Sequence, residues 1–264
     1  MVDLHHHLLP GLDDGSTDLP TSIAMARMAA EDGITRVVAT PHASHRYPFE
    51  PEKVAAGMAT LRSALSDAGI PLLIGSGCDF HLSYDNIQDA KAHPRKYTLN
   101  ASEYLLVELP DLIIPPKLTE LFYDLRMAAI VPILTHPERN AALQRDTKPL
   151  EEWLRHGLLV QITTSSVLGQ MGRTAEKMAH ALLANRWVHF MSTDAHNLTS
   201  RPPRMRAARE LVADRYGAEY AALLCQSNPL AVFDGQPLPP QQEPLHLFDE
   251  PNRGTLPWWE RLFG

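Results

Sequence analysis

Val2-Asp3-Leu4-His5-His6-His7-Leu8-Leu9-Pro10-Gly11-Leu12-Asp13-Asp14-Gly15 starts as a strand and runs into a turn crowded with ligand-type side chains. Side chains alternate faces along a strand, so His5 and His7 point the same way and can grip one ion, while His6 faces away. Two carboxylates follow at once on a tight turn. The plan recurs along the chain. Strand-sized apolar runs at 2–5, 35–40, 72–75, 104–108, 131–135, 158–162 and 188–192 alternate with stretches of helical spacing. Ile23, Ala26 and Ala30 form one helical stripe, capped by Asp18 or Ser22 and ended by Gly33. Val54, Met58, Leu61 and Leu65 form a second, closed by Gly69. Leu118, Leu121 and Leu125 form a third, Met178, Leu182 and Leu183 a fourth, and Met205, Ala208, Leu211 and Val212 a fifth.

Strand–helix alternation with near-continuously apolar strands predicts an α/β fold, a parallel sheet covered by helices. Seven such units without a linker favour a single domain closed into a barrel, although periodicity alone leaves an open doubly wound sheet as the alternative. The 264 residues suffice for one such core. The last thirty residues differ. Six prolines between Pro237 and Pro257 forbid a long helix, and Trp258, Trp259, Leu262 and Phe263 end the chain as an apolar cluster. That tail is expected to lie over the domain surface, or to act as an adhesive for a partner or a second copy.

Composition excludes several classes. A net charge of -7 offers no general attraction for nucleic acid or anionic lipid. No apolar run approaches the roughly 18 residues of a membrane span, and the start lacks a basic stretch before an apolar run, so a cytoplasmic protein is expected. Two cysteines make neither a disulfide framework nor a zinc knuckle. The cysteine route to phosphate-ester cleavage needs an arginine six positions after a reactive thiol, and Cys78 and Cys225 have Tyr84 and Ala231 there.

Histidine is the unusual component, with 13 in groups. His42 follows the second predicted strand, Asp79 the third, Glu108 ends the fourth, His136 follows the fifth, and Asp194 with His196 follows the seventh. In a parallel barrel these ends meet at one face, where active sites occur. With His5, His7 and Asp14 they make nine nitrogen and oxygen ligands, costly to hold together without cations. Nine exceed what one ion needs, so two or three divalent ions are expected. Mixed imidazole and carboxylate without thiolate suits Mn²⁺, Zn²⁺ or Fe. Arg139 and Arg201 sit just after ligand-bearing strand ends, where a planar guanidinium suits phosphate oxygens. The chemistry expected is phosphate-ester hydrolysis by a water activated between ions.

The blocks Asp3-Leu4-His5-His6-His7, Asp13-Asp14-Gly15, Ala39-Thr40-Pro41-His42, Gly77-Cys78-Asp79, Glu108, Thr135-His136-Pro137-Glu138-Arg139, Ser192-Thr193-Asp194-Ala195-His196-Asn197 and Arg201-Pro202-Pro203 follow one another in order. In these the chain resembles the polymerase-and-histidinol-phosphatase (PHP) superfamily, and more closely its bacterial tyrosine-protein phosphatase branch, encoded with capsule and exopolysaccharide systems. The resemblance runs to about residue 233. It implies a distorted (β/α)7 barrel over 1–234, a separate tail over 235–264, and up to three metal ions, Mn²⁺ foremost. It further implies that His5, His7 and Asp194 hold one ion, Asp14, His42 and His196 a second, and Glu108 and His136 a third, with Asp79 bridging. Relatives usually carry glutamate where Asp79 stands, one methylene longer, which puts full three-ion occupancy in question. The implied substrate is a phosphotyrosine protein, an autophosphorylating bacterial tyrosine kinase of polysaccharide export. A small-molecule phosphatase, such as one acting on histidinol phosphate, and a noncatalytic export module are the alternative readings.

Overall fold

The structure, a computed structural model, describes residues 1–110 and 112–248. Its strands are β1 (Val2–His6), β2 (Arg36–Ala39), β3 (His42–Ala43), β4 (Leu73–Ser76), β5 (Asp79–His81), β6 (Tyr104–Glu108), β7 (Val131–Thr135), β8 (Leu159–Thr163) and β9 (Phe190–Ser192). They form two parallel ladders, β1-β2-β4 and β3-β5-β6-β7-β8-β9. The seven expected strand regions are all present, but two of them are interrupted, so that β2 and β3 are halves of one barrel position and β4 and β5 halves of another. Gly77 N–H to the Ala39 carbonyl (3.0 Å) and Asp79 N–H to the Pro41 carbonyl (3.1 Å) carry the pairing across both breaks. The barrel closes where β9 ends. Asp194 N–H reaches the His5 carbonyl and His7 N–H the Ala195 carbonyl, each at 2.9 Å.

The breaks have local causes. Pro41 cannot donate to a ladder. At Gly75 an added Cβ would lie 2.3 Å from Asn100 Oδ1, and at Gly77 2.5 Å from Leu99 Cδ2. Asn100 uses that space to accept from Ser76 N–H (2.9 Å) and to donate to the Phe233 carbonyl (2.8 Å). The glycines thus admit side chains of a neighbouring segment against the strand.

The five helical stripes become Leu19–Glu31, Pro51–Asp67, Leu118–Met127, Arg173–Ala184 and Arg206–Tyr216. Asp18, not Ser22, caps the first, accepting from Thr21 N–H at 2.8 Å. The helices Tyr84–Ala92 and Lys148–Arg155 and a continuous helical stretch over 218–233 come in addition. No helix among the described residues is long and apolar enough to cross a membrane.

Two apolar layers result. Outside the sheet, Met25, Leu61, Phe80, Leu105, Leu134 and Leu182 belong to the strand–helix core. Inside, Val2, Leu4, Leu106, Ile133, Phe190 and Val232 form a plug, with Val232 supplied by the last helix. The plug fills the barrel beneath the strand ends, which leaves the C-terminal rim as the place for polar chemistry.

Residues 236–248 run across the N-terminal end of the barrel. Tyr104 donates its hydroxyl to the Gln236 carbonyl, and the amides of Asn228 and Gln241 pair doubly at 2.9 Å. Trp187 Nε1 donates to the Leu245 carbonyl (3.0 Å) and Arg155 Nε to that of Leu247 (2.7 Å). The aromatic cluster of Trp258, Trp259, Leu262 and Phe263 lies outside the described residues.

Candidate metal centre

All nine sequence-predicted ligands converge on the C-terminal rim of the barrel. His5 and His7 leave β1 where its register with β2 is irregular between Asp3 and His6, a local bulge of the kind that re-aims side chains. Their Nε2 atoms lie 3.2 Å apart, and each is 3.3 Å from Asp194 Oδ1. Asp79 Oδ2 stands 3.5 Å from His5 Nε2 and 3.2 Å from His42 Nδ1, between two ligand groups. Asp14 Oδ1 faces His42 Nε2 at 3.3 Å and His196 Nε2 at 3.5 Å. Glu108 Oε1 lies 3.5 Å from His136 Nε2.

Four overlapping groups each place one ligand atom per residue within 4.8 Å of the others: His7-Asp14-His42-His196, His42-Asp79-His81-Glu108, His5-Asp79-His136 and His5-His7-Asp194. Because His5, His7, His42 and Asp79 are shared, the groups form one continuous cluster. His6, expected to face away, belongs to none of them.

The donor set fits divalent cations on an observation independent of that spacing. Both Asp79 carboxylate oxygens and His196 Nε2 are buried with no hydrogen-bond partner. Such atoms are costly to leave unsatisfied, and a cation among them accepts their lone pairs. The protein's own charges already strain the cluster. Burial, then the nearby Asp79 carboxylate, raises Glu108 above the usual carboxylate range. Burial opposes ionisation of Asp79 and Asp194 too, but His5 and the other cationic neighbours outweigh it and hold both well below that range. Burial, reinforced by Arg139, depresses His136; burial and His7 push His196 down to about 2. Those two imidazoles are therefore neutral, the form that coordinates a metal.

Four residues outside the nine complete the site. Asp13 accepts from His7 Nδ1 at 2.6 Å, and also from Gly15 N–H and His42 N–H. Gln161 Oε1 accepts from His5 Nδ1 at 3.0 Å. Each contact fixes the ring so that Nε2 faces the cluster. Asp3 takes Thr193 N–H (3.0 Å) and the Thr193 hydroxyl (2.5 Å), which clamps the segment carrying Asp194 against β1. His81, at the end of β5, closes on Glu108 and on His42 Nδ1. Its signal was present in the sequence as Asp79-Phe80-His81, the same one-residue spacing as His5 and His7.

Asp13 gives a specific expectation. In Asp13→Asn an amide can offer N–H to His7 Nδ1 and favour the wrong tautomer, so affinity for Mn²⁺ falls about 10–100-fold. Titration calorimetry of metal-stripped protein measures this, and unchanged affinity removes Asp13 from the orienting role.

Both arginines expected at the site reach it. Arg139 Nη1 donates to Asp194 Oδ2 at 2.5 Å, and Arg201 Nη2 meets the same oxygen. Two guanidiniums therefore stand on the edge of the ligand cluster. The thiols take no part. Cys78 is buried and donates to the Tyr97 carbonyl (3.3 Å), and burial raises its pKa well above the ordinary value. Burial pushes Cys225 up to about 12. Neither supplies a thiolate near neutral pH.

Comparison with known proteins follows the same line. A family model described as capsular polysaccharide synthesis, CpsB/CapC, matches residues 1–234. The chain is 31% identical over 254 residues to tyrosine-protein phosphatase YwqE of Bacillus subtilis, covering 94% of this chain and 100% of that protein. It is 29% identical over 245 residues to tyrosine-protein phosphatase CpsB of Streptococcus pneumoniae, covering 89% and 99%. Among solved structures, one from a study of YwqE and CpsB, described as unique metal-dependent tyrosine phosphatases, matches with a TM-score of 0.86 at 30% identity, over 93% of this chain and 98% of that one. A β-aspartyl dipeptidase from Fervidobacterium islandicum AW-1 shares the fold at a TM-score of 0.56 and 14% identity, over 89% and 74% of the two chains.

Proposed function

The chain belongs to the CpsB/CapC family of capsular polysaccharide synthesis, and on that premise we propose that its barrel rim dephosphorylates the tyrosines of a kinase that controls polysaccharide synthesis or export. It is a metal-dependent tyrosine-protein phosphatase. The observation that carries the reading is the merging of four ligand groups into one mostly buried cluster with two guanidiniums at its edge.

The residues divide the work. His5, His7, Asp14, His42, Asp79, Glu108, His136, Asp194 and His196 hold two or three divalent ions, Mn²⁺ foremost. Asp79 belongs to two of the ligand groups, so the shorter aspartate would be placed to serve both. Bound divalent ions supply Lewis acidity and lower the pKa of water toward neutrality. Arg139 and Arg201 bind the phosphate oxygens and balance charge that grows on them in the transition state. Asp13 and Gln161 keep His7 and His5 in the coordinating tautomer. A tyrosyl leaving group, with a phenol pKa of about 10, departs with less protonation than an aliphatic alcohol. The barrel occupies 1–234 and the tail 235–264. A kinase substrate places the chain in the cytoplasm, where ATP is available to such a kinase.

Parallel turnover of a phosphotyrosine peptide and of histidinol phosphate by the Mn²⁺-loaded protein tests the assignment. The peptide is expected to be the better substrate by kcat/KM. A near-exclusive preference for histidinol phosphate would overturn it.

A further inference from the structure

Beside the ligand cluster lies a cavity of about 180 Å³ that opens at His42. It separates the turn after β1, with Gly11 and Leu12, from the turn after β3, where Arg46, Tyr47, Pro48 and Phe49 lead into the helix Pro51–Asp67. Leu12, Tyr47, Pro48, Phe49 and Val54 give it apolar, partly aromatic walls; Arg46 adds positive charge, while Lys53 is paired with Glu50 (2.7 Å), which lines the same space.

The walls are fixed in place before any substrate arrives. Ser44 N–H donates to the Tyr47 carbonyl (2.9 Å), and the Ser44 hydroxyl accepts from Tyr47 N–H (3.1 Å), closing the turn. The Tyr47 ring lies 5.9 Å from that of His42 with planes 15° apart, and the Arg46 guanidinium sits 5.0 Å from its centroid. Phe49 packs on Tyr97 at 5.3 Å, and the Tyr97 hydroxyl donates to Asp89 at 2.6 Å. A cavity of this kind has its ordering cost met by the fold rather than by the ligand.

Its position relative to the ions decides its use. A phosphate held beside His42, Asp14 and His196 carries its ester group out of the rim. The adjoining space, with Leu12, Tyr47 and Phe49 in its walls, admits a flat ring, while a short alkyl group leaves most of it unfilled. We propose that this cavity is the aryl subsite of the enzyme, receiving the tyrosyl ring of the substrate, with Tyr47 and Phe49 selecting aryl over alkyl phosphates. The inference rests on the phosphotyrosine reading and names the residues that give it specificity.

The test uses full-length Mn²⁺-loaded protein and two non-hydrolysable probes, phenylphosphonate and methylphosphonate, with dissociation constants from calorimetry. Burying one ring corresponds to about a tenfold or larger preference for the phenyl probe in the unaltered protein. Phe49→Ala, which removes a wall, and Leu12→Trp, which fills the space, are each expected to bring the ratio close to one. The methylphosphonate constant and the metal content should stay as they were. A ratio preserved in both variants overturns the subsite. So does an equal weakening of both probes, which would mean damage to the rim rather than loss of ring recognition. Failure of the phosphatase reading has a different signature, since the unaltered protein would then hydrolyse no phosphotyrosine peptide whatever the probe ratio.

Discussion

Asp194→Ala is expected to lower kcat/KM for a phosphotyrosine peptide by on the order of a thousandfold or more, beyond what loss of a single charge-stabilising donor costs. This one carboxylate serves three imidazoles and two guanidiniums. Its Oδ1 lies 3.3 Å from both His5 and His7 and 3.5 Å from His196 Nδ1, and its Oδ2 takes Arg139 and Arg201. Truncation would remove a proposed metal ligand and release both guanidiniums proposed to bind phosphate. The backbone is nevertheless held by other groups. Asp194 has φ 52°, a left-handed conformation uncommon outside glycine and asparagine-like residues. The Asp3–Thr193 clamp, the Ala195 N–H to Thr193 hydroxyl contact and the Asp194 N–H to His5 carbonyl bond all survive the substitution. The variant should therefore retain its circular dichroism spectrum and a cooperative melt. Steady-state kinetics beside these measurements settle it, and rates equal to the unaltered protein would exclude Asp194 from the site.

His136→Ala should be nearly as severe, by a different route. His136 is also left-handed, with φ 33°, and its N–H donates to the Gln161 carbonyl at 2.7 Å. This bond sets it opposite Glu108 and stacks its ring 5.7 Å from His5. Its imidazole is kept neutral by burial and by Arg139, so its loss removes a ready donor without removing a charge. A lower metal stoichiometry by elemental analysis should accompany a loss of turnover of about a hundredfold or more. Full stoichiometry with unaltered rates would contradict the role.

How far the sequence reveals this molecule depends on which signals are local. Parallel strands buried on both faces read as apolar runs, so β6 and β7 match their expected limits. The breaks at Pro41 and Gly77 were harder to see. Pro41 marks the first locally, but the second depends on Asn100 and Leu99 arriving at Gly75 and Gly77 from a later segment, and no local pattern records that. The helix Lys148–Arg155 buries Leu150, Trp153 and Leu154 at helical spacing, a stripe of only two turns that went unread in the sequence. At the site, strand alternation finds His5 and His7, and strand ends find the other residues that converge there. Adjacent carboxylates defeat that logic. Asp13 and Asp14 look alike in the sequence, yet a turn in which Gly15 packs against the His7 Cβ sends one to orient His7 and the other toward His42 and His196. Gln161 passed unnoticed as one polar residue within an apolar run, and its role appears only once the closed barrel brings β8 within reach of His5 on β1.

The cluster's purpose is most directly tested by elemental analysis of the protein as purified, paired with peptide phosphatase assays after chelation and after Mn²⁺ is returned. Two or three divalent ions per chain are expected, with activity lost on chelation and restored by Mn²⁺. A protein that contains no stoichiometric metal and hydrolyses phosphotyrosine equally well in excess chelator would contradict the account.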